Sequence, residues 1–127
     1  MEELRKQWIT SEKEYREGEV FVYRQKFTAS QVKKAVFYGT ALGVYEAELN
    51  GTKIGRQMFA PGFSYYPRRV LYQTHEVTEL LREGENTLTV YLGQGWYCGR
   101  FLCENQTQIY GEQPAVAWLS LIHISEP

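Results

Sequence analysis

The run Val44 to Asn50 (VYEAELN) constrains the fold more than any other stretch of the chain. Apolar and polar side chains alternate along it, so as an extended strand it turns Tyr45, Ala47 and Leu49 to one side and Glu46 and Glu48 to the other. Asn50-Gly51 follows at once. Both residues tolerate positive φ, which the tightest hairpin turns require, so the strand is predicted to return through Lys53 and Ile54. A half-buried hairpin needs a second layer to cover its apolar face.

Other runs repeat the pattern. Val20 to Phe27 places Phe21, Tyr23 and Phe27 on one face, and Val32 to Leu42 carries Ala35, Phe37, Gly39 and Ala41 at period two. Asn86 to Leu92 aligns Leu88, Val90 and Leu92, and Ala115 to Trp118 starts a further strand. Arg69 to Thr74 also has β-character, while Thr78 to Arg82 reads as one or two helical turns stopped by Gly84. Two aromatic loops interrupt the strands: Phe59 to Pro67, broken by two prolines, and the segment in which Gly93, Gly95 and Gly99 bracket Trp96 and Tyr97. Many short strands with one short helical turn predict an all-β, jelly-roll-like β-sandwich of the galactose-binding type.

Composition narrows the function. All 15 acidic residues are Glu, so an EF-hand loop and any mechanism built on a catalytic Asp are excluded. Two histidines, His75 and His123, are too few for most His-based zinc sites. Cys98 and Cys103 read as two separate thiols, because a zinc half-site would need a second ligand pair. A net charge of -1 predicts no nucleic-acid partner. An apolar run of about 18 residues is lacking, so no membrane partner is expected. Met1 to Thr10 has no apolar signal-peptide core, which slightly favours a cytoplasmic location. Glu46 and Glu48, two apart on one strand face, stand about 7 Å apart. That falls within the ~6.5–9.5 Å of an inverting glycosidase pair, but any strand produces this spacing, and the reading adopted is a solvated outer face. His75 reads as a surface or partner-facing side chain.

Three runs taken in order carry a family resemblance: GVYEAELNGTKIG at 43–55, APGFSYYPRRVLYQT at 60–74 and VTELLREGENTLTVYLGQGWYCG at 77–99. With Trp8-Ile9 and the strand Tyr23 to Phe27 they resemble the N-terminal domain of bacterial α-L-rhamnosidases, glycoside hydrolase family 78, over roughly residues 5–118. Where that family has Asp-Val-Thr before its helical turn, this chain has Glu76-Val77-Thr78, and Glu caps a helix less well, so a looser turn is predicted. The resemblance implies a non-catalytic accessory module of a larger hydrolase whose acidic catalytic pair sits in a helical barrel further along. Its implied partners are the remaining domains of that rhamnosidase, against which it packs to shape substrate access. Two other readings stay open: an autonomous module binding a rhamnose-containing glycan, and a structural interface domain with no ligand. Some rhamnosidases carry a related sandwich that binds L-rhamnose through calcium. Its acidic ligands have no placement here, so no cofactor and no metal is expected.

The candidate sugar-contacting residues are Tyr65, Tyr66, Arg68 and Arg69, with Phe63, in the first aromatic loop. In the second they are Trp96 and Tyr97, flanked by Gln94 and Arg100. Aromatic faces meet the C–H faces of a pyranose while amide and guanidinium groups take its hydroxyls; the same residues also serve as packing. No catalytic residue is assigned. The end of the chain breaks the pattern: residues 119–127 (LSLIHISEP) read as an adapter-derived, non-native tail following a module of residues 1–118 truncated at its C-terminal end. The tail is β-prone, and it is expected to pair along the edge of the sandwich.

Overall fold

Strand alternation in the sequence becomes two antiparallel sheets packed face to face. The computed structural model describes residues 2–10, 18–62, 71–93 and 114–124. Its strands are β1 (Phe21–Ala29), β2 (Val32–Leu42), β3 (Val44–Leu49), β4 (Thr52–Lys53), β5 (Gln73–Glu76), β6 (Gly84–Gly93) and β7 (Ala115–Ile124). One sheet has the order β1-β6-β3-β4 and the other β5-β2-β7. The fold is the expected all-β sandwich. Besides the turn expected near Thr78, a short helix α1 (Glu2–Arg5) precedes the strands and buries Leu4.

The core lies where the inward faces meet. Ala35, Phe37 and Ala41 of β2 and Val116 of β7 pack against Tyr45, Ala47 and Leu49 of β3 and Leu88, Val90 and Leu92 of β6. Val116 apart, these are the residues that period-two alternation assigns inward, and each fully buried Val, Leu or Phe contributes about 1.5–3 kcal/mol. At Gly39 the packing admits no side chain: a Cβ there would stand 2.7 Å from both Phe37 Cε1 and the Tyr45 hydroxyl. Asn50 (φ 53) and Gly51 (φ 84) form the predicted two-residue turn between β3 and β4, with Leu49 opposite Thr52.

Two elements differ from the sequence reading, and a third continues as expected. The strand expected at Arg69 to Thr74 is β5 at Gln73–Glu76, with Leu71 and Tyr72 outside it. The turn expected over Thr78 to Arg82 is a single 3₁₀ turn, Thr78–Leu80, without a side-chain cap at Val77. Competing partners keep it short. Val77 N–H bonds Ala35 O (2.9 Å), and the Arg82 N–H, which a longer helix would aim at Thr78, bonds Asn86 Oδ1 (2.8 Å). Gly84 therefore opens β6 at φ 92 instead of ending a helix. Finally, β7 starts at Ala115 and continues past Trp118. It runs on to Ile124, pairing with β2 in unbroken register from Leu42↔Ala115 to Lys34↔His123, so the expected pairing of Leu119–Ile124 is present.

Candidate functional site

Every residue that the sequence nominated for sugar contact lies outside the described residues: Phe63, Tyr65, Tyr66, Arg68 and Arg69, and Gln94, Trp96, Tyr97 and Arg100. Cys98 and Cys103 do as well. The strands that hold the two loops are described, and they root both at one end of the sandwich. Leu42 is opposite Ala115, Val44 is opposite Gly93, and Tyr45 bridges to Ala60, so segments 46–59, 61–72 and 94–114 all leave or return around Gly43 (φ 131). Only glycine adopts such a φ without strain, and here it lets the chain cross from β2 in one sheet to β3 in the other.

Side chains fasten this rim. Tyr45 N–H bonds Ala60 O (2.8 Å), and the Tyr45 hydroxyl donates to Gln73 Oε1 (2.9 Å). The Gln73 amide in turn donates to Pro61 O (3.3 Å), and Thr40 Oγ1 donates to Leu71 O (2.5 Å). Thus the chain before residue 63 and the chain after residue 70 are tied to one buried phenol. Burial pushes the Tyr45 hydroxyl well above its ordinary value, which keeps it a neutral donor.

Beside the rim, Val20, Val44, Tyr45, Met58, Phe59 and Tyr91 line an open hollow, with Glu46 and Gln57 at its polar margin. Met58 and Phe59 are 72% and 64% exposed, and Val20 and Val22 are also exposed. Phe59 stands at φ 55, a conformation that bulky residues rarely adopt. Glu46 is exposed and pairs with Lys53 (3.0 Å), while Glu48 accepts a long bond from the Tyr91 hydroxyl (3.5 Å). The two carboxylates lie on the outer sheet face, as expected from their alternation.

A second surface escaped the sequence reading. Trp118 of β7 meets Tyr23 of β1 with ring centroids 6.2 Å apart, and its indole N–H donates to Gln25 Oε1 (3.4 Å). Gln7, Ile9 and Arg24 complete the groove. The Tyr23 hydroxyl is buried without a hydrogen-bond partner among the described residues. Tyr23 shares a face with Phe21 and Phe27 in the sequence, but nothing there says that β1 and β7 edge the two sheets on the same side. His75, read as a surface or partner-facing residue, is half-buried, with its ring lying over Gly55. Among the described residues no group of three or more His, Cys, Asp or Glu side chains is arranged to hold a metal.

The model of the α-L-rhamnosidase N-terminal domain matches residues 30–126. The chain belongs to that family. An α-L-rhamnosidase of Streptomyces avermitilis is 48% identical over 86 residues, covering 68% of this chain, and one from Formosa agariphila is 35% identical over 72 residues, covering 57%. The rhamnosidase N-terminal domain described here spans 8% of the length of each of these curated relatives. Among solved structures, the α-L-rhamnosidase of Aspergillus terreus superposes with a TM-score of 0.86 at 31% identity, over 93% of this chain and 14% of that one. The Streptomyces avermitilis α-L-rhamnosidase, solved with L-rhamnose, gives 0.78 at 40% identity, over 82% of this chain and 10% of that one.

Proposed function

We propose that this domain is a non-catalytic accessory module of an enzyme that hydrolyses terminal α-L-rhamnose, and that it seats its Gly43 rim on the remaining domains, shaping access to their sugar site. The observation that carries this reading is the gathering of both aromatic loop roots and an exposed apolar surface, Val20, Met58 and Phe59, at one end of the sandwich. Exposed apolar patches rimmed by polar groups mark surfaces that another body covers. Phe59, at positive φ and 64% exposed, leaves apolar area on this surface that a neighbouring domain would cover.

The test uses the Streptomyces avermitilis relative expressed without its equivalent of this domain. Adding the present chain in trans is expected to give a complex and to change the hydrolysis of an aryl α-L-rhamnoside. Phe59→Glu and Met58→Glu are each expected to weaken that complex at least tenfold. Absence of association at any concentration sinks the proposal, while association without a change in hydrolysis reduces the domain to a structural interface.

A second reading has the rim bind the sugar itself through Tyr65, Tyr66, Arg68, Arg69, Trp96 and Tyr97. It is supported by the common rooting of the two loops, which brings their ends to one place. Titrating the isolated domain with L-rhamnose while following tryptophan fluorescence separates the two readings, since only the second expects a saturable change.

A further inference from the structure

The alternation of β1 breaks at one residue. Phe21, Tyr23, Phe27 and Ala29 turn toward the other sheet and are half-buried or buried, whereas Gln25, at the same parity, is polar and exposed. The topology accounts for this. β1 is the edge of one sheet and β7 the edge of the other, so among the described strands none closes the flank between them. Trp118 of β7 meets Tyr23 across that flank, and Ile9, bridged to Val116, borders the same space. What remains is a hollow of about 320 Å³ lined by Gln7, Ile9, Tyr23, Arg24, Gln25 and Trp118. That volume lies within the ~300–1,000 Å³ of small-molecule sites.

Its chemistry is not that of a flank sealed by packing. Elsewhere the space between the sheets is filled by aliphatic and aromatic side chains. Here two aromatic rings stand beside two side-chain amides and one guanidinium. The Tyr23 hydroxyl is buried, so the hollow meets the ring and not the phenol oxygen. Gln25 Oε1 accepts the Trp118 indole N–H at 3.4 Å, which leaves the Gln25 Nε2 donors free. Among the described residues the side chains of Gln7 and Arg24 have no hydrogen-bond or ion-pair partner, and no carboxylate lines the hollow.

We propose that this hollow is a binding subsite for a uronic acid residue of a glycan, a pyranose that carries a carboxylate. The C–H face of the ring lies against Trp118 and Tyr23, the amides of Gln7 and Gln25 take its hydroxyls, and the Arg24 guanidinium pairs with the carboxylate. Among the described lining residues Arg24 alone is charged, so a neutral pyranose leaves it unpaired and a cationic one is repelled. Trp118 stands opposite Gly39, away from the Leu42–Ala115 end of the sheet, and the subsite rests on neither reading of the Gly43 rim.

Methyl β-D-glucuronide and methyl β-D-glucoside differ only in carrying a carboxylate or a hydroxymethyl group, and they serve as the probes. In the full chain labelled with fluorotryptophan, the resonances of Trp8, Trp96 and Trp118 are assigned by single Trp→Phe variants and followed by fluorine NMR. The Trp118 resonance is expected to move saturably with the glucuronide, and the glucoside to bind about fivefold more weakly. Arg24→Gln, an exposed position, should bring the glucuronide down to the affinity of the glucoside with the thermal midpoint unchanged. Gln25→Ala should weaken both probes. A Trp118 resonance that moves with neither probe overturns the proposal, as does equal affinity for the two, or an Arg24→Gln variant that keeps the preference. Movement confined to Trp96 also overturns it and favours sugar binding at the Gly43 rim. If Arg24→Gln fails to fold, the comparison of the two probes on the unaltered chain decides.

Discussion

Asn50 donates its side-chain amide to Asn86 Oδ1 at 2.8 Å, joining the hairpin turn of one segment to the chain reversal of another. Every polar valence of the fully buried Asn86 amide is used. Its oxygen also accepts from Arg82 N–H (2.8 Å), and its nitrogen donates to Arg82 O (2.9 Å) and Gly84 O (3.1 Å). Asn50 in turn donates to Leu80 O (2.9 Å) and accepts from Thr87 N–H (2.9 Å). The pair thus fixes how the 3₁₀ turn and the start of β6 approach the β3–β4 turn. Asn86→Ala leaves the part-buried backbone groups of Arg82 and Gly84 without their partners and is expected to cost about 1–3 kcal/mol. Asn50→Gly keeps the positive φ and removes only the side chain, so it should cost less, and the double variant should cost less than the two singles added together. Urea midpoints of the four proteins measure this; a cost under about 1 kcal/mol for Asn86→Ala would show that water replaces the network.

This network also shows where sequence reading stops. Asn86 has the same inward parity as Leu88, Val90 and Leu92, so its burial was legible, but its partners come from 80–84 and from Asn50 across the fold. The strands β2 and β3 and the Asn-Gly turn were readable because alternation and turn chemistry are local. The extent of the turn at Thr78 was not, since tertiary partners on Ala35 and Asn86 decide it. The pairing at the end of β7 was legible for a local reason too: LSLIHI reads as foreign to the family pattern, yet its own alternation marks it as a strand, and it continues the ladder on β2. For the candidate site, the two aromatic loops were visible as composition. The meeting of their roots near Gly43 depends on sheet topology, which no local pattern encodes.

Gly55 and His75 form a second coupled pair. Gly55 stands at φ 76, and a Cβ there would come within 2.5 Å of His75 Cε1. Gly55→Ala is expected to destabilise by about 1–3 kcal/mol, part of it backbone strain and part the displaced ring. His75→Ala in the same chain should recover the steric part and leave the strain. A double-mutant cycle on thermal unfolding reads the coupling; strictly additive effects would mean that the ring yields freely and the backbone alone sets the cost.

Tyr45 predicts an alkaline weakness. Burial raises its hydroxyl pKa above the ordinary 10.0, so the folded state holds this proton more tightly than the unfolded chain does. Below about pH 10 both states are protonated and Tyr45 contributes no pH dependence. Above that the unfolded chain releases a proton that the native state keeps, so stability falls with rising pH, by at most about 1.4 kcal/mol per unit from this group. Tyr45→Phe should be less stable at neutral pH, because Gln73 loses its donor, yet show a shallower decline above pH 10. Urea midpoints at rising pH test this, and parallel declines in the two proteins would remove Tyr45 as the cause.

Ile122 tests whether the end of β7 belongs to the fold energetically as well as geometrically. Its side chain packs against the core and, with Ser120, borders the apolar space lined by Phe27, Ala35, Phe37, Leu49, Leu81 and Leu88. Its neighbours in the ladder, Leu121 and Leu119, pair with Val36 and Tyr38 of β2. Ile122→Ala removes a partly buried aliphatic group and is expected to cost about 2 kcal/mol, near the lower end for such truncations because the site is not fully enclosed. Leu121→Ala, on the exposed face, should cost less than about 0.5 kcal/mol. Ending the chain at Trp118 removes the ladder partners of Lys34 through Tyr38 as well as the Ile122 contact, so it should lower stability by more than either substitution. Chemical denaturation of the three variants orders these effects. If the shortened chain unfolds at the same midpoint as the full one, the segment after Trp118 rests on β2 without stabilising it.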